Sequence, residues 1–202
     1  MLESFIIYFE NIPSSIRTII LINGFALLLI SENIQPLYIL KYKKIKHALL
    51  NLFFTLTTLT INLSIAFLIL RSSIYVTENR LGIINFFDFP LWTNILIGLL
   101  LLDLIGAYFI HWLEHQIKWM WKFHLIHHTD TNVDVTTALR HHPGESVLRA
   151  LFTIIGIIIS GVPFGIVMLY QTISAFFAQL THANINLPPF LENIMSYFII
   201  TP

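Results

Sequence analysis

The chain has 202 residues, of which 56% are hydrophobic and only 11% charged, with 11 basic residues balancing 11 acidic ones. A water-facing surface needs about 25% charged residues, so a soluble globule is excluded; so are a disordered chain, which needs low hydrophobicity, and a nucleic-acid binder, which needs a basic excess. With no cysteine there is no disulfide framework, thiolate zinc site or cysteine nucleophile, and any metal must rest on nitrogen or oxygen ligands.

Glu3 and Glu10 precede any basic residue, so the N-terminus lacks the positive region of a cleavable signal peptide and reads as mature from Met1. Crossing a hydrocarbon core takes about 20 apolar helical residues. Residues 12–30 qualify, with Asn11 as a possible cap, Pro13 in the first turn and a stop at Ser31-Glu32-Asn33 before Pro36. Residues 48–70 qualify next, their threonines and Asn62 being tolerable because hydroxyls and amides bond to helix backbone or a neighbouring helix. Residues 91–110 form a third span, entered through Pro90 and interrupted only by Asp103. The apolar region 147–180 is divided by Gly161-Val162-Pro163 into two halves, each somewhat short of a crossing, and reads as a helical hairpin that returns to the side it left. Lys41, Lys43, Lys44 and Lys46 place the first loop inside, and the third span then brings His111 back to that face with Lys118, Lys122, Arg140 and Arg149. The expected fold is a single all-α domain over 1–202. It is a polytopic integral-membrane bundle of three full spans plus a helical hairpin, with 1–90 holding the first two spans and 91–202 a histidine-rich region on the cytosolic face.

Five histidines lie between His111 and His128. On a helix, His111 and His115 at i, i+4 project from one face, and His124 repeats the logic with His127 and His128 at i+3 and i+4. Neutral imidazole suits iron, zinc and copper, which leaves a nitrogen or nitrogen-plus-carboxylate site as the chemistry open to this chain. The alternative is that clustered histidine merely decorates a membrane interface. His182 is open between ligation and simple packing, while His47, in its lysine-rich loop, is expected to be solvated and to have no part in a metal site. Asp103 is open between a functional role and a hydrogen bond to Asn62 or a threonine of the second span. Glu114, Asp130, Asp134 and Glu145 lie among the histidines, where carboxylates would orient imidazole rings or simply face solvent.

In order, these motifs resemble the fatty acid hydroxylase and sterol desaturase superfamily. His111-Trp-Leu-Glu-His115 is similar to its first box, HxxxH, and His124-Leu-Ile-His127-His128, with its aromatic lead-in from Trp119, to its second, HxxHH. The stretch from Asp134 through Arg140-His141-His142-Pro143-Gly144-Glu145 resembles the family's next segment, with His142 in the family's histidine position; Thr181-His182-Ala183-Asn184 resembles the later His-x-Asn motif. The resemblance implies a membrane-bound oxidoreductase with two non-haem iron ions, zinc being a substitute, held by His111, His115, His124, His127 and His128 and then by His142 and His182. Glu114, Asp130 and Asn184 would orient the ligands. It further implies a membrane lipid as substrate, hydroxylated or desaturated with O2, and a separate electron donor, a reductase with a ferredoxin or cytochrome b type carrier. A bacterial cytoplasmic membrane is preferred to the endoplasmic reticulum; both put the boxes on the cytosolic side.

Two departures stand out. Trp112 occupies a position where the family usually has arginine, and the family continues past a Thr-Pro like Thr201-Pro202 into a last HxxHH box, so the chain is expected to stop short of further ligands. A fragmentary or degenerate member with an incomplete metal site and no activity is therefore one alternative. Another is a zinc protease, since His111-x-x-Glu114-His115 spells the inverted HxxEH motif. A haem protein with paired axial histidines is disfavoured, because the first two spans contain no histidine.

Overall fold

Apolar segments of this length bury their backbone polar groups most completely as helix. In the computed structural model, residues 2–197 and 200–202 are described; Met1 and, within the apolar C-terminal run, Phe198 and Ile199 lie outside the described residues. The helices are α1 (Leu2–Glu10), α2 (Ser14–Ile34), α3 (Lys44–Glu78), α4 (Leu91–Asp103), α5 (Ile110–Gln116), α6 (Lys118–His128), α7 (Pro143–Ser160), α8 (Phe164–His182) and α9 (Pro189–Met195). Among the described residues the sole β feature is a bridge between Pro36 and Ile185. Five segments are long and apolar enough to cross a membrane: Ser14–Ile34, Lys44–Asn85, Leu91–Gln116, Pro143–Ser160 and Phe164–His182. Their outward faces are apolar, with Leu27 60% and Leu63 67% exposed, as a surface facing hydrocarbon requires.

The two halves of the hairpin are longer than their apolar runs. α7 has 18 residues because Pro143 pre-sets its first turn and the His142 ring caps it, Nδ1 accepting from Gly144 N at 2.9 Å. α8 has 19 residues because it continues to His182. Between them Gly161 adopts φ 79° and lies against Gly82 at φ 89°; a Cβ on either would collide with the backbone of the opposite segment. Asn85 Nδ2 donates to Gly161 O at 3.0 Å and Ser73 Oγ to Val162 O at 2.8 Å, stapling the loop after α3 to the hairpin turn. Beneath this staple Val76, Ile84, Leu102, Ile157, Val162 and Ile166 form the main apolar core.

The opposite end collects the histidines. α2 runs alongside α8 in the same direction, from the Arg17–Gln171 hydrogen bond at 3.0 Å to Glu32, whose Oε2 accepts from Asn184 N at 3.2 Å and Val135 N at 2.9 Å. Lys44 Nζ, opening α3, pairs with Glu32 Oε1 at 2.8 Å. A second apolar cluster of Leu28, Val135, Leu180, Ala183 and Ile185 lies under this end. Asp103 is exposed at the end of α4, and among the described residues it makes no hydrogen bond to Asn62 or a threonine of α3. The chain then widens into a π-helical turn, Leu104–Phe109, before entering α5 and its histidines. Such turns insert a residue into the ladder and re-aim the side chains beyond it.

Candidate metal centre

α5 is short because Ile117 takes an extended conformation, φ −100° and ψ 113°, and folds α6 back beside it. That corner brings two i, i+4 pairs together. His111 Nε2 and His115 Nε2 are 3.1 Å apart, and His124 Nε2 and His128 Nε2 are 3.0 Å apart. One ring nitrogen from each of the four lies within 4.8 Å of all the others. Metal–nitrogen bonds of about 2.0–2.1 Å at tetrahedral angles place ligand atoms about 3.3 Å apart, so a small inward adjustment suffices for one ion.

A second group forms behind the first. His127 Nε2 lies 2.9 Å from His182 Nε2, and the His141 ring stacks on His127 with centroids 5.1 Å apart. His182 Nδ1 donates to Ala178 O at 2.6 Å, which leaves its Nε2 lone pair facing the group. The two groups adjoin, since the rings of His124 and His127 stack at 5.4 Å.

Glu145 joins them. Its Oε1 is 3.0 Å from His124 Nδ1, 2.9 Å from His141 Nδ1 and 2.9 Å from Arg149 Nε, in a fully buried position. With both Nδ1 atoms donating, one carboxylate fixes the tautomer of a ring in each group and directs both Nε2 atoms inward. Arg149 Nη2 also donates to Glu114 Oε2 at 2.9 Å, balancing the second buried carboxylate. Glu114 Oε1, Glu145 Oε2 and His127 Nδ1 are buried without a hydrogen-bond partner among the described residues. Buried polar atoms rarely stay so, and orphans of this kind beside seven imidazoles fit a site built for cations. Burial, reinforced by His141 and His182, lowers His127 to about 2, and burial lowers His128 as well, so both rings are neutral and able to ligate. His111, His115 and His128 are exposed, and a cavity of about 230 Å³ lined by His115, Gln116, Lys118 and Trp121 opens beside the first group.

Of the residues singled out from sequence, His111, His115, His124 and His128 come together in one group, and His127 and His182 in the other. Glu114 lies beside the first group, 3.7 Å from His124 Nδ1. His142 does not join them: its ring stacks on Phe123 at 4.9 Å, and it is His141 that faces His127. The cause is local, because the residue before Pro143 is held extended, so neighbouring side chains point opposite ways. Asp130 and Asn184 orient no clustered ring among the described residues. Asp130 accepts from Thr137 Oγ1 at 2.9 Å and pairs with His47 Nε2 at 2.8 Å; Asn184 clamps the backbone of Tyr38, with Nδ2 donating to Tyr38 O at 2.8 Å and Oδ1 accepting from Tyr38 N at 2.9 Å. Burial alone would raise Asp130, but hydrogen bonds from His47, Asn132 and Thr137 hold it below its ordinary value.

His47 is a correction too. Its side chain is 10% exposed, wedged between Asp130 and Asp134 rather than solvated. A signal existed: His47, Asn51 and Thr55 recur every fourth residue, a polar stripe on an apolar helix. His141, Glu145 and Arg149 repeat at the same interval and mark the face of α7 that meets the histidines.

The fatty acid hydroxylase family matches residues 95–202, a stretch that contains both histidine groups. An ornithine lipid hydroxylase, OlsE of Rhizobium tropici, is 25% identical over 100 residues, covering 50% of this chain and 30% of the relative, so the matched stretch spans less than a third of that protein's length. No solved structure matches. With more than half of its residues matched and the family's histidines gathered at one end of its helices, the chain belongs to the fatty acid hydroxylase family.

Proposed function

We propose that the protein is a membrane lipid hydroxylase or desaturase that uses O2 and two iron ions. His111, His115, His124 and His128 would hold one ion, and His127, His141 and His182 the other. The observation that carries this reading is the pair of adjoining imidazole groups tied by the single carboxylate of Glu145. Bound iron would supply the activation of O2, the oxidant that an unactivated C–H bond demands and that side chains cannot provide. The chain's own residues do the rest. Glu145 and the Ala178 carbonyl set ring tautomers, Arg149 offsets the charge of Glu114 and Glu145, and the apolar outer faces of the helices let a lipid approach from the side.

The similarity to an ornithine lipid hydroxylase supports a polar membrane lipid as substrate and makes ornithine lipid the first to assay. Electrons would come from a separate reductase with a ferredoxin or cytochrome b type carrier. The lysines of 41–46, with Lys118 and Lys122 at the same end, support a cytosolic site, and the bacterial source of the relative supports a bacterial membrane. A zinc protease is less well served by the geometry, because Glu114, its required base, is engaged by Arg149.

The test is metal content per chain after purification in detergent without chelator. Close to two irons is expected, with His115→Ala and His127→Ala each losing iron while the protein stays in the membrane. Absence of bound iron, or full retention in both variants, overturns the reading. O2-dependent change of added ornithine lipid is the second assay.

A further inference from the structure

A buried polar network outside the histidine groups lies where the start of α3 meets segment 129–142. His47 stands between two carboxylates: its Nε2 is 2.8 Å from Asp130 Oδ1 and 2.9 Å from Oδ2, and its Nδ1 is 3.2 Å from Asp134 Oδ2. The Tyr42 hydroxyl donates to Asp134 Oδ2, and its ring meets His47 edge-on at 5.0 Å. Asn51 Nδ2 donates to Thr136 Oγ1 at 2.8 Å, and Thr55 Oγ1 to Leu139 O at 3.3 Å. Tyr42, His47, Asn51 and Thr55 therefore grip one loop together, and His47 alone reaches both of its acids.

That loop has a particular job. It leaves α6 directly after His127 and His128 and ends at His141, so its shape sets how His141 faces His127. Asp134 opens the short 3-10 turn Val135–Leu139 with a capping box, Thr136 N donating to Oδ1 at 2.8 Å, and Asp130 lies two residues beyond His128. Removing His47 would take away the side chain that contacts both carboxylates, leaving Asp130 to Arg140, 3.7 Å away, and Asp134 to the Tyr42 hydroxyl, with nothing from α3 joining the two acids. That loss loosens the loop between Asp130 and Asp134 and with it the far end, which carries His141.

We propose that His47 is a positioning residue for the second metal site. By bridging Asp130 and Asp134 it fixes the loop that keeps His127 and His141 stacked around Glu145. This rests on the reading that His127, His141 and His182 hold an ion. It adds that a residue outside the family-matched stretch 95–202 controls that ion and not the one at His111, His115, His124 and His128.

The experiment is a titration of the metal-stripped 202-residue chain in detergent with Co²⁺ alone, read by its visible absorption and by bound metal per chain. The unaltered chain is expected to take up two ions, and His182→Ala to lose the second, which assigns the bands. His47→Ala should leave the first ion's affinity and spectrum unchanged and weaken the second about tenfold or more, in the range seen for groups that orient metal ligands. Imidazole added to His47→Gly should restore the second band, which a general loss of stability would not do. Should His47→Ala not fold, Tyr42→Phe, which removes only one contact to Asp134, should weaken the second ion by a smaller factor. Unchanged binding of both ions in His47→Ala, or equal loss of both without rescue, overturns the proposal. Failure of the unaltered chain to bind Co²⁺ overturns the metal-centre reading itself, and this proposal with it.

Discussion

His141 and His142 are adjacent and chemically identical, yet the fold gives them unrelated tasks. His141 pairs with Glu145 and stacks on His127, whereas His142 caps α7 and packs on Phe123. His141→Ala should therefore lower bound metal while His142→Ala leaves it intact and costs about 1 kcal/mol of stability through the lost cap; metal analysis beside thermal unfolding separates the two. Sequence pattern could not rank this pair, because which ring faces inward depends on the extended residue before Pro143 and on Glu145 a turn later. His127 carries a pH signature. Its folded value of about 2 lies below the ordinary 6.5, so an unfolded chain binds a proton here that the folded chain refuses. The metal-free protein should lose stability as pH falls from about 6.5 toward 2 and be indifferent to this group above 7. Denaturant unfolding at pH 5 and 7.5 checks the sign, and His127→Gln should flatten this part of the dependence.

At the scale of elements, the apolar runs 12–30, 48–70, 91–110 and 147–180 are helical apart from Ile12, Pro13 and the turn 161–163, because a hydrocarbon-length run has few other ways to satisfy its backbone. Their ends were not legible. α3 begins at Lys44 and ends at Glu78, since lysine, arginine, serine and threonine flanks cost little once the apolar body is helical. The π-helical turn before α5 leaves no mark in composition at all. The hairpin, by contrast, is marked by Gly161-Val162-Pro163, and the structure adds its partner, Gly82. Gly161→Ala combines a left-handed backbone with a collision against Leu81 and should lower stability by more than about 1 kcal/mol. Its unfolding temperature in detergent should drop while the metal content of the folded fraction stays unchanged.

Across the whole molecule, what the histidine spacing revealed was the content of the site, and what it hid was the support. The boxes are local in sequence, so their ligand pairs could be read from helical periodicity. The Glu32–Lys44 pair, the Tyr38–Asn184 clamp and the His47 bridge each have a partner in the first half of the chain, and although a motif holds Asn184 and a polar stripe holds His47, neither pattern names the residue it meets. The same topology makes a prediction that the lack of cysteine renders simple to check. Lys43→Cys and Asp88→Cys, both at exposed positions, lie at opposite ends of α3 and its loop. A membrane-impermeant thiol reagent applied to sealed cells should label the cysteine at 88 and spare that at 43, which becomes reactive only after the membrane is opened. Labelling of both from one side would contradict the arrangement.

The two imidazole groups differ in their access to water: His111, His115 and His128 are exposed beside an open cavity, while His127 is buried and screened by His141 and His182. Metal exchange should therefore be ordered in time. A brief exposure to a bulky chelator should empty the outer position first and yield a uniform half-loaded population rather than a mixture of full and empty chains. Refilling that population with a second kind of ion would produce a mixed-metal centre of known arrangement, and a single-phase, complete loss of both ions would show that the inner position is no slower than the outer.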